Sequence, residues 1–338
     1  MGTELPFVSM LIVARNEGDY IGKCLESLLR QDYPKNLYEI IIVDGMSTDN
    51  TVEIAKELLA LYRENKLDNL RFQEIDVSFY ENPKINLASG WNIGIKKAKG
   101  NYVVRIDAHA CALDDFLSES VNTILEVEDA TCVGGVISTR SLSKIGSMIT
   151  NVLSSPFGVG NSRFRYSDKP GYVDTVAYGL YKKDIFEKIG YFDETMQRAQ
   201  DNEMHSRIKN AGGKFYLNPS IKTIYYSRDS VKKMIIQAFM NGKWIIINLK
   251  RIKGGMPVRY FVPLAFILGL LTGIFLSFVH KIFPLLTLLV LIVYFLLSIF
   301  FSLKKTKNLK EIIIMPWLFL LWHISYGLGS FVGIIFNR

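Results

Sequence analysis

Over the first 140 residues, apolar runs alternate with stretches of helical period. Phe7 to Ala14, Glu39 to Val43, Leu70 to Ile75 and Tyr102 to Ile106 read as strands. Gly18 to Arg30, Thr48 to Glu64, Asn86 to Lys99 and Asp115 to Glu126 place apolar residues at three- and four-residue spacing and read as helices. Cys132 to Thr139 is again β-rich. Strands separated by single helices predict an α/β fold, a mainly parallel sheet with helices on both faces. Such sheets bind ligands at the carboxyl ends of their strands. No internal repeat and no low-complexity segment interrupts the pattern.

From Tyr260 onward the pattern changes. Phe261 to Val279, Ile282 to Leu303 and Ile312 to Phe336 each run about 19 to 25 mostly apolar residues, the length a bilayer core demands, so three transmembrane helices are predicted. His280, Lys281 and Pro284 suit a tight hairpin between the first two. Lys304, Lys305, Lys307 and Lys310 lie in the next loop, and Lys250, Arg251, Lys253 and Arg259 precede the first span. This bias places residues 1–259 in the cytoplasm and the C-terminus outside. The stretch before Val8 is too short and too polar for a signal peptide. His323, inside the third span, reads as a packed helix–helix contact ahead of a proton relay. Between the two regions, Ser230 to Lys253 carries Val231, Met234, Ile235, Ala238, Phe239, Ile245, Ile246, Leu249 and Ile252 against Lys232, Lys233 and Lys243. That suits a helix lying in the headgroup plane, with an amphipathic core helix of the preceding body as the alternative.

Composition narrows the class. In 338 residues, 49% apolar and 21% charged side chains exclude a disordered or fibrous chain. Cys24, Cys111 and Cys132 are odd in number and lack a Cys-x-x-Cys pair, which argues against a disulfide scaffold or structural zinc. The net charge of +8 is unevenly spread: residues 1–227 hold 26 basic and 30 acidic side chains, residues 228–259 eight and one, and residues 260–338 six and one. An acidic body on a basic collar does not suit a nucleic-acid binder. It suits a protein facing anionic membrane lipids.

Three predicted strands end in polar clusters: Ala14-Arg15-Asn16-Glu17, Asp44 to Thr51, and Asp107-Ala108-His109. All three should meet at one sheet edge. In the second, Ser47 or Thr48 can also cap a helix entered through Asp49. Asp107 and His109, two apart where a strand bends, can share one divalent cation, manganese or magnesium, with positions left for a diphosphate. The plainer reading of Asp107 is a helix cap near Asp114 and Asp115. Arg198 to Arg207 opens a helix whose first turn holds Asp201 and Glu203, where the helix dipole favours anions and a carboxylate can be rigidly aimed as a base.

Taken together, these residues resemble glycosyltransferase family 2, the inverting GT-A enzymes, and within it the membrane-associated sugar transferases of exopolysaccharide and capsule synthesis, such as the succinoglycan-type glucosyltransferases. The resemblance covers about residues 7–255. It rests on Arg15-Asn16-Glu17, Val43-Asp44-Gly45 with Ser47, Asp49 and Thr51, Asn82-Pro83-Lys84, Asn92-Ile93-Gly94, Arg105 to Ala110, Gly190 to Glu194, and Gln200 to Glu203. It implies a GT-A domain over residues 1–228, an interfacial helix and collar over 229–259, and three transmembrane helices over 260–338.

The resemblance also implies roles. Glu17 and Asp44 would hold the nucleoside of a nucleotide-sugar, probing uracil or its equivalent through Asp44, with Ala14 and Lys84 lining the pocket. Asp107 and His109 would bind the metal and diphosphate, and Asp201 would deprotonate the acceptor for one inverting displacement. Asp-x-His replaces the family's usual Asp-x-Asp, and Gln200 precedes the base where Glu is usual. Processive relatives carry Gln-x-x-Arg-Trp, whereas Gln237 is followed here by Asn241-Gly242-Lys243-Trp244 at a different spacing, which favours transfer of a single sugar. Trp244 then reads as an interfacial anchor, and Arg228 as a contact for a diphosphate or a headgroup.

The leading expectation is transfer from a uridine diphosphate sugar to a polyprenyl-diphosphate-linked saccharide. A transferase acting on bare polyprenyl phosphate, a non-catalytic nucleotide-sugar-binding subunit and a transporter are the competing readings. Ser141 to Gly171 has no legible fold and reads as an acceptor loop or a surface insertion.

Overall fold

A computed structural model describes residues 4–64, 75–141, 143–160, 162–226, 230–249 and 257–335. In chain order the elements are β1 (Val8–Ala14), α1 (Gly18–Leu29), β2 (Tyr38–Asp44), α2 (Thr51–Arg63), β3 (Asp76–Glu81), α3 (Leu87–Lys97), β4 (Tyr102–Asp107), β5 (Ala110–Ala112), α4 (Phe116–Glu126) and β6 (Ala130–Arg140). There follow α5 (Lys144–Leu153), α6 (Pro156–Val159), β7 (Gly171–Val173), β8 (Ala177–Lys182), α7 (Asp184–Ile189), α8 (Gln200–Asn210), β9 (Lys214–Tyr226), α9 (Val231–Ile247), α10 (Val262–Leu276), α11 (Ile282–Leu303) and α12 (Leu309–Ile335). The run expected at Leu70 to Ile75 falls, Ile75 apart, outside the described residues; the third strand is β3, just after it. Arg228, Lys250, Arg251 and Lys253 also lie outside them.

The chain forms two compact units, Met1–Ser138 with Ser167–Tyr226, and Thr139–Tyr166 with Ser227–Arg338. In the first, strands run in the order β3-β2-β1-β4-β8-β6-β9-β5, with β7 on β9. The sheet is mixed rather than mainly parallel: β1 to β4 are mutually parallel, but β8 enters beside β4 antiparallel, and β5 and β7 pair antiparallel with β9. Short apolar runs reveal strands, while direction depends on connections that local period does not encode. The inner parallel strands β1 and β2 are buried along almost their whole length, as strands covered on both faces require. Against them lie the apolar stripes of the helices, for example Ile21, Cys24, Leu25 and Leu28 of α1. Asn86 caps α3 by accepting from the Ser89 amide.

The second unit gathers the segment after β6 with α9 to α12. Two helices, Ile282–Leu303 and Leu309–Ile335, are long and apolar enough to cross a membrane. The first expected span is shorter than predicted: α10 has 15 residues, about 22 Å of helix against a hydrocarbon core of about 30 Å. The apolar run that suggested a longer helix ends in Ser277 to Val279, where the chain turns with Phe278 fully outward.

The helix expected in the headgroup plane, α9, buries Met234, Ala238, Gly242, Ile245 and Ile246. These lie along α12, where small residues let the backbones touch: a Cβ added at Gly242 would land on the Tyr326 carbonyl oxygen, and one at Gly329 on that of Phe239. His323 is a structural contact. Its Nε2 lies 3.0 Å from the Phe157 carbonyl, which can only accept, so Nε2 carries the proton and Nδ1 accepts from the Tyr294 hydroxyl at 2.8 Å. Trp322 donates to the Gly158 carbonyl at 2.9 Å. The segment with no legible fold is thus a short helical insert whose Phe157 ring sits among Tyr294, Phe301, Phe319 and His323 at 5.1 to 5.5 Å.

Candidate active site

The parallel strands end in register, Ala14 beside Asp44, Asp44 beside Glu81, and Val13 beside Asp107, which carries the three polar clusters to one edge of the sheet. The first two loops are tied together. Asn16 accepts from the Thr48 amide at 2.8 Å, its own amide donates to Ser47 Oγ, and the Glu17 amide donates to Thr51 Oγ1. Ser47 and Thr48 do not cap α2. Ser47 donates to Asp44 at 2.6 Å, while Asp49 takes the first-turn amide and hydroxyl of Thr51. Backbone strain collects here as well: Asn16, Met46, Ile85 and Ala199 adopt left-handed φ of 54°, 58°, 62° and 61°, each costing an L-residue roughly 1 kcal/mol.

Asp201 stands in the first turn of α8, two residues after strained Ala199, and is gripped by Arg105 of β4. Guanidinium Nη2 donates to Oδ2 at 2.8 Å and Nη1 to Oδ1 in a bidentate pair. The Arg105 side chain is 10% exposed and lies over the rings of Trp91 and Phe192, at 4.8 and 5.5 Å, while Asp201 is 47% exposed. Surrounding protein pushes the Asp201 carboxyl up, but the charge and hydrogen bonds of Arg105 outweigh it and hold the carboxyl below the usual range. Beneath it, buried His205 is held between Thr175 and Tyr181 hydroxyls at 2.7 Å each. Desolvation drives its pKa down to about 3, so it is neutral.

Asp107 closes β4. Burial raises its carboxyl, against the pull of Arg105 and His109, and the nearby charge of Asp201 raises it further; the Tyr178 hydroxyl also bonds to it. It caps no helix. Glu17, expected at the nucleoside, is turned to His109, whose Nδ1 lies 3.1 Å from Oε1. A carboxylate only accepts, so the Nδ1 proton points at Glu17 and the ring lone pair sits on Nε2. This is the carboxylate–histidine arrangement that prepares an imidazole to ligate a metal. Among the described residues no three His, Cys, Asp or Glu side chains converge as a ready-made cage. Asp107 and His109 therefore fit a magnesium or manganese ion that takes its remaining ligands from substrate phosphates and water.

Lys84 is mostly exposed and paired with Glu194 at 2.6 Å. Hydrogen bonds from Lys84 and then Asn92 lower the Glu194 carboxyl. Asn92 also clamps Phe192, donating to its carbonyl and accepting from its amide, both at 2.9 Å. Arg207 donates to the carbonyls of Ile189, Gly190 and Tyr191. The turn before α8 is thereby fixed from both sides, and with it Asp201. Ala14 is buried at the end of β1, and its carbonyl accepts from the Gly45 amide.

Sequence reasoning assigned no role to Arg105, Trp91 or His205. Arg105 left a signal: a charge inside the apolar strand Tyr102 to Ile106 must find a partner when buried. Which partner is a matter of tertiary structure.

The family model for glycosyl transferase family 2 matches residues 9–190. Across 97% of both chains the sequence is 32% identical to the dolichyl N-acetyl-alpha-D-glucosaminyl phosphate 3-beta-D-2,3-diacetamido-2,3-dideoxy-beta-D-glucuronosyltransferase of Methanococcus voltae. It is 27% identical to the succinoglycan biosynthesis protein ExoA of Rhizobium meliloti, covering 78% of this chain and 76% of that one. Its fold is similar to that of the mannosyltransferase PcManGT of Pyrobaculum calidifontis, solved with GDP-Man and Mn2+. There the TM-score is 0.63 at 17% identity, over 96% of this chain and 88% of that one.

Proposed function

The chain belongs to glycosyl transferase family 2 and is a sugar-transferring enzyme, and from that premise we propose that it moves one sugar from a nucleotide diphosphate donor, a UDP-sugar, to a saccharide carried on a polyprenyl phosphate or diphosphate. The observation that carries the reading is the strand-end edge where Asp201, aimed by Arg105, and Asp107, beside His109, lie close enough for their charges to interact. The activity for which the Methanococcus relative is named, on a dolichyl phosphate-linked sugar, supports the acceptor class.

In this mechanism the acceptor oxygen bonds to the anomeric carbon from the face opposite the leaving group. The bond from that carbon to the diphosphate oxygen breaks, its electron pair leaves with the nucleoside diphosphate, and configuration inverts. Asp201 receives the hydroxyl proton on one oxygen while Arg105 keeps hold of the carboxylate. A carboxylate with a depressed pKa is a weak base, so the proton moves late, once the attacking oxygen has become acidic. A manganese or magnesium ion at Asp107 and His109 would neutralise charge on the departing diphosphate. Asp44, Ala14 and Lys84 belong to the nucleoside side of the edge, while Glu17 orients His109.

Membrane placement follows the same reading. The two long helices and α10, lengthened by the turn at Val258–Tyr260, form three crossings, with the lysine-rich loops and the sheet unit in the cytoplasm.

The test uses the full chain in detergent with a panel of nucleotide-sugars, polyprenyl-linked acceptors, and manganese or a chelator. Metal-dependent nucleotide release from one donor and an extended lipid-linked saccharide, both lost in Asp201→Asn and Asp107→Ala, is the expected result. A sugar–lipid monophosphate formed from bare polyprenyl phosphate would replace the acceptor assignment. Turnover that survives Asp201→Asn would remove the base.

A further inference from the structure

Strand β8 parts from its neighbours where the candidate metal site begins. β4 and β8 pair from Tyr102 opposite Lys182 to Val104 opposite Leu180, so the last residues of β4, Asp107 among them, run on past the paired stretch. On its other side β8 keeps register with β6 through Cys132 opposite Tyr181 and Val133 opposite Leu180, then slips, with Gly135 opposite Ala177. Tyr178 and Gly179 thus face the single residue Gly134, a β-bulge on β8. Glycines permit the close approach: an added Cβ would lie 2.8 Å from Val176 Cβ at Gly134, and 2.5 Å from Cys132 Sγ at Gly179.

Within the bulge the left-handed position, φ 51°, is taken by Tyr178 and not by Gly179. A Cβ in that conformation crowds the following carbonyl, which is why left-handed bulge positions favour glycine. A bulky residue stays there only when its surroundings over-determine it, and strain of this kind collects at functional sites. Core filling alone does not require the choice, since Gly179, the next residue, would adopt a positive φ without strain. Tyr178 is 5% exposed, and its hydroxyl bonds to the carboxylate of Asp107. Bulges beside active sites serve to re-aim a side chain, and here the side chain is aimed at the end of β4.

The two side chains that fit a divalent cation are then supported alike. Glu17 fixes His109 through the ring nitrogen turned away from the ion, and Tyr178 holds Asp107. Hydrogen bonds that orient a ligand in this way are worth roughly 10- to 100-fold in metal affinity. We propose that Tyr178 is a positioning residue of the metal site, its hydroxyl donating to one oxygen of Asp107 so that the other is presented to the ion. This rests on the assignment of Asp107 and His109 as ligands made above.

Manganese binding to the full-length protein in detergent is followed by loss of the free-ion electron paramagnetic resonance signal, with uridine or guanosine diphosphate present. Binding of the same nucleotides is measured separately in chelator. Tyr178→Phe keeps the ring and removes only the hydroxyl. It should bind manganese on the order of tenfold more weakly, with nucleotide binding in chelator and the melting temperature close to those of wild type. In turnover, the manganese concentration giving half-maximal rate should rise by the same factor, while kcat at saturating manganese stays within about threefold of wild type. Manganese affinity equal to that of wild type overturns the assignment. Nucleotide binding in chelator that weakens as much as manganese binding overturns it too, because the hydroxyl then supports the whole edge and not the metal ligand. If wild type binds no manganese, or Asp107→Ala binds it like wild type, the ligand assignment falls and this proposal with it, a result distinct from failure of Tyr178 alone.

Discussion

Arg105 and Asp201 stand 96 residues apart in the chain and meet as a bidentate pair over the face of Trp91. The pair both aims the carboxylate and limits its basicity. Asp201→Asn keeps the size and one accepting oxygen for Arg105 and loses the base, so kcat should fall roughly 10²- to 10⁴-fold with donor affinity little changed. Arg105→Lys keeps the charge and loses the fork and the stack. Its kcat should fall less than that of Asp201→Asn, with KM nearly constant, in steady-state assays of nucleotide release. A change confined to KM would assign Arg105 to substrate binding instead.

His205 is neutral in the fold, with its pKa lowered to about 3 from an unfolded value near 6.5. Above that unfolded value it contributes no pH dependence. As pH falls below about 6.5 the unfolded chain takes up a proton that the native one refuses, so stability drops by up to about 1.4 kcal/mol per pH unit until the folded pKa is reached. Thermal melting between pH 7 and pH 4 should show this slope in wild type and a shallower one in His205→Gln. Equal slopes would mean that other groups carry the acid sensitivity.

Ala199 holds φ 61° immediately before α8. Glycine adopts that conformation without strain, so Ala199→Gly should raise stability by up to about 1 kcal/mol, or roughly 2–4 °C in melting temperature. An unchanged or lower melting temperature would show that the backbone strain is compensated locally.

Two glycines of the membrane unit differ in what surrounds them. A side chain at Gly329 would drive α12 off the Phe239 carbonyl, whereas nothing lies within 4 Å of a Cβ at Gly269 on α10. Gly329→Leu should lower the unfolding temperature in detergent or aggregate, with overpacking of about 1–3 kcal/mol or more, and Gly269→Leu should behave like wild type. Similar behaviour of the two variants would mean that α9 and α12 are not packed through these residues.

The short α10 makes topology testable. A single cysteine placed at Val279 on a chain lacking its native cysteines should react with an impermeant thiol reagent from outside intact cells if α10 crosses, and one at Lys307 should not. Labelling of Lys307→Cys alone would reverse the orientation, and labelling of neither would place both loops inside.

What the chain determined by itself was local. Alternating apolar runs and helical periods specify β1, α1, β2, α2, α3 and β4, and polar residues at the ends of parallel strands meet because register is set by the buried pattern of the strands themselves. That α11 and α12 are long and apolar enough to cross a membrane is equally local, a matter of length and composition. Tertiary structure alone decided the partners. Arg105 shows that a buried charge needs a counterion, but nothing near it in sequence names Asp201. Glu17 is an acid at a strand end, and only the bend after β4 turns it to His109 rather than outward. The insert around Phe157 has no period of its own because its contacts are with Tyr294, Phe319 and His323, more than 130 residues away. Antiparallel entry of β8 and the burial of α9 on α12 were hidden for the same reason: period reports which face of an element is apolar, and packing chooses what covers it.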